Sequence, residues 1–136
     1  MNGCCLRDLA SGLAQPLLLA CIILGALKSQ AAVNNAEWVM RQPPQAFTIQ
    51  LIAVSSQEQA ELFVESETVL NEYPLAIYRY QKQGKLLYAV SLGSFIDLQT
   101  TEQTRGELYV RLAAVSKTWL RRMDEVQAQI RTTLQR

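Results

Sequence analysis

The sequence predicts an α+β domain: two strand–helix–strand halves joined by a hairpin, forming a four-stranded antiparallel sheet. Three observations predict it. Phe47-Thr48-Ile49-Gln50-Leu51 alternates apolar and polar side chains with period two and runs directly into a helical segment. Lys82-Gln83-Gly84-Lys85 separates two further β-rich runs, with Gly84 free to take positive φ in a tight turn. Asp97 stands where a helix can begin after the third run, and a last short strand follows from Thr118. Such halves pack with both helices on one face of the sheet, which leaves the other face to solvent or a partner.

Taken in order, the first strand spans Phe47 to Val54. Ser55, three residues before Glu58, has the spacing of a capping box for a helix from Ser56 to Asn71. Along that helix Ala60, Phe63, Val64 and Leu70 fall near one face, and Pro74 prevents its continuation. The second strand runs from Leu75 to Gln81 and the third from Leu86 to Leu92, closed by Gly93-Ser94-Phe95. Asp97 caps a second helix, Leu98 to Leu108, weakened by Thr100, Thr101, Thr104 and Gly106. A short helical stretch from Glu107 to Val115 follows. Thr118 to Met123 then reads as the fourth strand, and Glu125 to Leu134 as a polar helical or frayed tail.

Upstream, residues 1–31 read as a signal peptide. Arg7 precedes an apolar run from Leu13 to Leu27, and Ser29-x-Ala31 is a small-x-small cleavage pattern. The run is shorter than the roughly 20 apolar residues of a spanning helix and contains Pro16, although an uncleaved anchor is the alternative. Leu18-Leu19-Ala20-Cys21 resembles a lipobox, but Ile22-Ile23-Leu24 continue the apolar run past the cysteine. Membrane association thus enters only through an uncleaved leader or a lipidated Cys21. Residues 32–45, with Pro43-Pro44, read as a linker in which Trp38 and Val39 form a short strand or an apron on the domain edge.

Composition excludes several function classes. The 136 residues contain no histidine, and all three cysteines lie in the leader, so no thiol or imidazole is available afterwards as nucleophile, general base or zinc ligand. No catalytic constellation, metal site or cofactor motif emerges. Setting aside Arg7, Lys28 and Asp8, eleven basic residues balance eleven acidic ones, which argues against nucleic acid as a partner. Aromatics on an open sheet of this layout also suit RNA, but the balanced charge and the export signal oppose that reading.

With Phe47, Ile49 and Leu51 facing the helices, Thr48, Gln50 and Ile52 face outward. Tyr88, Val90 and Leu92 make the core set of the third strand, leaving Leu87, Ala89 and Ser91 outside, and Ile77 faces the core while Tyr78 and Tyr80 face out. The expected open face therefore offers Gln50, Thr48, Tyr78, Tyr80, Leu87 and Ser91, with Trp119 at its margin. Amides, hydroxyls and aromatic rings together suit a neutral, extended polar polymer such as a glycan. The plainer alternative is that cross-strand aromatic pairs only stabilise the sheet.

Phe47-Thr48-Ile49-Gln50-Leu51, the helix with Ala60, Gly84-Lys85-x-x-Tyr88-x-Val90-x-x-Gly93-x-Phe95, and Trp119 followed by Val126-Gln127 together resemble the SPOR domain of bacterial cell-division and cell-envelope proteins. The resemblance covers about residues 46–130 and leaves 131–136 as a C-terminal tail. It implies a ferredoxin-like fold and non-catalytic binding of peptidoglycan glycan strands, particularly strands stripped of stem peptides at septa. It matches Gln50 to a glutamine on the glycan-binding sheet face and Trp119 to a tryptophan near the fourth strand. Two positions depart from the pattern: Ala53 stands where some members carry serine, and Leu87 where they carry a sheet-face tryptophan. The expected location is the periplasm of a Gram-negative-type bacterium, or the inner membrane facing the periplasm if the leader is retained. Salt should affect binding little. The alternative function is a protein–protein interaction module of a cell-envelope complex, such as a division protein's partner, with the glycan site lost.

Overall fold

The computed structural model describes residues 32–112 and 117–135. Its sheet has the order β2-β3-β1-β4, with β1 (Phe47–Val54) and β3 (Lys85–Phe95) central, β2 (Leu75–Lys82) and β4 (Trp119–Arg122) at the edges, and every neighbouring pair antiparallel. The two helices between strands, α2 (Gln57–Ser66) and α3 (Leu98–Arg111), pack on one face, as the strand–helix pattern predicts. Ile49 and Leu51 of β1 and Val90 and Leu92 of β3 meet Ala60 and Val64 of α2 and Leu108 of α3 in one buried cluster. The expected α+β, ferredoxin-like layout is the one observed.

Local detail departs from the sequence reading in ways that have physical causes. The cap of α2 is Ser56, whose hydroxyl accepts from the Gln59 backbone N–H at 3.2 Å, while Ser55 donates to the Gln59 side chain at 3.0 Å. The N-cap is thus Ser56, one residue later than the Ser55 spacing predicts, and the Gln59 side chain takes the Ser55 hydroxyl. The helix ends at Ser66, and a 3-10 turn over Thr68–Glu72 brings Leu70 into the core. β-Branched Thr68 and Val69 disfavour further α-helix there. The hairpin between β2 and β3 puts both Gln83 (φ 50°) and Gly84 (φ 77°) in the left-handed region, as a two-residue I′ turn requires.

Two register shifts decide which side chains share a face. In β1, Gln50 lies opposite Ser91 and Ile52 opposite Val90, so Leu51 is an extra residue. Leu51 and Ile52 both serve the α2/α3 side, which corrects the expectation that Ile52 faces outward. Near the other end, Gly93 adopts φ 77° between the pairs Ile49–Leu92 and Phe47–Phe95, and β3 continues three residues beyond its expected end. A side chain on Gly93 would collide with the Phe95 ring.

α3 is longer than its composition promised. Asp97 caps it as expected, its carboxylate accepting from the Thr100 backbone N–H at 2.7 Å and from the Thr100 hydroxyl at 2.9 Å. Thr101 and Thr104 face the core because each returns its hydroxyl to a carbonyl four residues back. The stretch expected from Glu107 to Val115 joins α3 as far as Arg111, with Leu112 as its C-cap, and residues 113–115 lie outside the described residues. The expected leader over residues 1–31 also lies outside them. Among the described residues no helix is long and apolar enough to cross a membrane.

The largest correction concerns the second sheet face. The expected linker contains a helix, α1 (Ala36–Arg41), capped by the Asn35 side chain, with Val39 buried against the sheet. Trp38 and Val39 therefore sit on a helix and not a strand. Just before it, Asn34 bridges to Ala76: its N–H donates to the Leu75 carbonyl at 2.8 Å, and its carbonyl accepts from the Ile77 N–H at 3.0 Å. The segment expected from Glu125 to Leu134 as a polar helical or frayed tail is a helix, α4 (Met123–Leu134), and it is packed rather than frayed: Met123, Val126, Gln127 and Ile130 are buried at helical spacing. Met123, Val126 and Ile130, with Val39 and Ala46, enclose Tyr78, Tyr80 and Ala89 in a second apolar cluster.

α4 has no side-chain cap. Its first N–H groups donate instead to carbonyls of the Pro-containing segment before β1, Met123 to Ala46 at 2.7 Å and Asp124 to Pro44 at 3.0 Å. Gln127 extends this clamp, its side-chain amide donating to the Val39 and Gln42 carbonyls at the end of α1. At the far end Thr133 accepts from the Gln81 N–H of β2 at 3.0 Å. The helix thus crosses the sheet from the β4 side to the β2 edge.

Candidate functional site

That crossing divides the seven residues expected on an open face. Thr48, Tyr78 and Ser91 are sealed beneath it. The Thr48 hydroxyl donates to the Leu92 carbonyl at 3.1 Å, and the Tyr78 and Ser91 hydroxyls share a hydrogen bond of 3.1 Å. Burial pushes the Tyr78 phenol above its ordinary pKa, against the opposing pull of the Ser91 hydrogen bond and of Arg121. These three side chains satisfy one another and the sheet, and no polymer reaches them from solvent. The Tyr78 and Tyr80 rings lie 6.2 Å apart at 47°, a tilted aromatic contact inside the second cluster.

Beyond α4 the same face re-emerges as a groove of about 390 Å³. The central strands give its floor through Gln50, Ala53 and Leu87, because the Leu51 bulge brings Ala53 onto the face of Gln50. Trp119 and Arg121 of β4 line one side. Tyr80 and Lys82 of β2 line the other, and Gln129 of α4 closes the end. Four of the seven expected residues (Gln50, Tyr80, Leu87 and Trp119) therefore meet in one concavity, Gln50 and Tyr80 by their edges.

Gln50 is only 6% exposed. Its amide oxygen accepts from Arg121 Nη1 at 3.0 Å, and the other terminal nitrogen of Arg121 donates to the Gln129 amide oxygen at 3.0 Å. Glu125 stands 4.0 Å from Arg121 Nε. With both amide oxygens turned to Arg121, the amide nitrogens of Gln50 and Gln129 are free to donate to a ligand. Trp119, 42% exposed, presents an indole whose ring centroid lies 5.9 Å from the Lys117 ammonium, a cation–π contact that steadies it.

No protein-family model matches the sequence, and no curated protein sequence matches it. An apolar strip flanked by amides and an indole offers ring-stacking surface beside hydrogen-bond donors. Among the described residues no cluster of acidic, cysteine or histidine side chains has the geometry to hold a metal.

Sequence reasoning did not find Arg121, Lys82 and Gln129. Arg121 was within reach, since it follows Trp119 by two residues on a strand and so shares its face. Lys82 shares parity with Tyr78 and Tyr80 in the same way. Gln129 required knowing that α4 folds back over the sheet. A second groove, of about 510 Å³, runs between α3 and the strand edge and includes Arg105, Tyr109 and Lys117. Arg105 is paired with Glu102 at 2.6 Å. It contains none of the expected residues.

Proposed function

We propose that this chain is an exported, non-catalytic binding module for peptidoglycan glycan strands, as its SPOR-like motifs imply, with the ligand confined to the groove beyond α4. The observation that carries this reading is the exposed Trp119 indole beside Leu87 and the amides of Gln50 and Gln129. A pyranose ring stacks its C–H face on an indole while its hydroxyl and acetamido groups take hydrogen bonds from amides. The covered part of the sheet serves as foundation, holding Gln50 and Arg121 in place.

The test is co-sedimentation of the protein with purified sacculi before and after amidase treatment. Retention should rise on stripped sacculi. Trp119→Ala should weaken it by about 1 kcal/mol, roughly fivefold, with unchanged thermal stability. Equal retention of wild type and Trp119→Ala sinks the assignment of the groove.

A second reading is favoured by the exposed apolar side chains of α3 and the segment before it. Ile96, Tyr109 and Val110 all project into solvent, and in this reading they dock another envelope protein. Co-purification of a stoichiometric partner that Val110→Glu abolishes, with no retention on sacculi, would decide for it.

A further inference from the structure

Resting on the glycan-binding reading above, we infer that the groove selects an anionic sugar chain, one of whose carboxylates seats against Lys82 and the spare donors of Arg121. The domain as a whole is balanced in charge, but the groove is not. Both ionisable cations that line it, Lys82 and Arg121, are unmatched by any carboxylate in its lining. Arg121 has five N–H donors, and its hydrogen bonds to Gln50 and Gln129 use one from each terminal nitrogen. Glu125 approaches only the Nε side and is 61% exposed, so it offsets the guanidinium weakly. Lys82 is exposed and makes no salt bridge among the described residues.

The arrangement is chemically specific. Arg121 is held rigid by two amides, partly desolvated at 20% side-chain exposure, and opens into the groove. Lys82, at the hairpin end of β2, supplies an exposed second cation on the opposite side. A neutral polysaccharide can only accept hydrogen bonds from this pair, whereas a chain with a carboxylate on alternate sugars adds a charge-assisted contact there while a neighbouring ring lies on Trp119. Glycan strands freed of stem peptides carry such carboxylates, because removing an amide-linked peptide from the lactyl group leaves the free acid. Strands that retain the peptide carry an uncharged amide at the same atom. In this view, discrimination between stripped and substituted glycan is made at Lys82 and Arg121. The expectation of salt-insensitive binding, drawn from net charge, is replaced by local salt dependence.

The test uses the full chain and two soluble ligands: amidase-stripped glycan strands, and the same strands with carboxyl groups converted to methylamides. Titration calorimetry should show the native strands binding about three- to tenfold more tightly at low salt, as expected for one charge-assisted contact. Lys82→Gln should remove most of that difference, Lys82→Arg should retain it, and raising salt should weaken the native ligand alone. Equal affinity for both ligands, unchanged in Lys82→Gln, overturns the inference and leaves the glycan-binding reading intact. Failure of both ligands to bind overturns both. Competition by poly-glutamate as effective as that of the native strands overturns the inference in favour of an acidic protein partner.

Discussion

Replacing Ile130 with alanine tests whether α4 is a structural layer or an appendage. Ile130 is 2% exposed and packs with Val126, Tyr78 and Tyr80 in the second cluster. The substitution removes three buried carbons at about 0.8 kcal/mol each and adds a cavity term, for an expected loss of about 3 kcal/mol. Leu134→Ala, on the same helix but 67% exposed, should cost no more than about 0.5 kcal/mol and serves as the internal control. The assay is urea unfolding followed in parallel by far-UV circular dichroism and by the near-UV tyrosine signal. A domain of ordinary stability, about 5–15 kcal/mol, remains folded after such a loss, so both variants are measurable. The two probes should report one transition, because Tyr78 and Tyr80 sit between α4 and the sheet. An Ile130→Ala cost indistinguishable from that of Leu134→Ala would refute the packing of α4. With it would fall the claim that Thr48, Tyr78 and Ser91 are closed to ligand.

Gly93→Ala forces a side chain into a left-handed backbone, about 1–2 kcal/mol, and displaces the Phe95 ring as well, so denaturant unfolding should show a loss of at least about 1.5 kcal/mol. Gln50→Leu leaves one Arg121 donor without its acceptor and should cost about 1–2 kcal/mol in the same assay, and an unchanged midpoint would mean that the pair adds nothing to stability. The Asp97 carboxyl is held below its ordinary pKa, first by the Thr100 backbone N–H, and Glu72 is held below its own by the Arg111 hydrogen bond. Depressed folded-state values mean that the stabilisation is fully present above the unfolded carboxylate range and is lost as pH falls through the folded pKa. Thermal melts should therefore fall through the acid range, and Asp97→Ala should flatten part of that slope. An unchanged slope would mean that the cap contributes nothing to stability.

Much of the frame was legible because strand periodicity is a local property. The alternation of Phe47 to Leu51 correctly separated Ile49 and Leu51 from Thr48 and Gln50, and the same reasoning placed Tyr78, Tyr80, Leu87 and Ser91 on one common face. It failed at Ile52 because a bulge inserts Leu51 without changing the apolar character of the run. The Asp97 cap and the Lys82–Lys85 turn were readable because cap and turn chemistry act within a few residues.

The face that those residues share was determined by the sequence alone; whether it is open was not. α1 is too short to show a period, and α4 buries only four side chains in twelve residues, one of them Gln127. A stripe so thin stabilises a helix only when a complementary surface lies beneath it, and that surface is assembled from strands far away in the chain. The same holds for the pairing of Gln50 with Arg121, 71 residues apart, which turns an isolated mid-strand glutamine into one half of a partly buried hydrogen bond. Sequence decided which side chains point the same way. Tertiary packing decided which of them a ligand can still touch, because accessibility depends on what folds back over a face and not on the face itself.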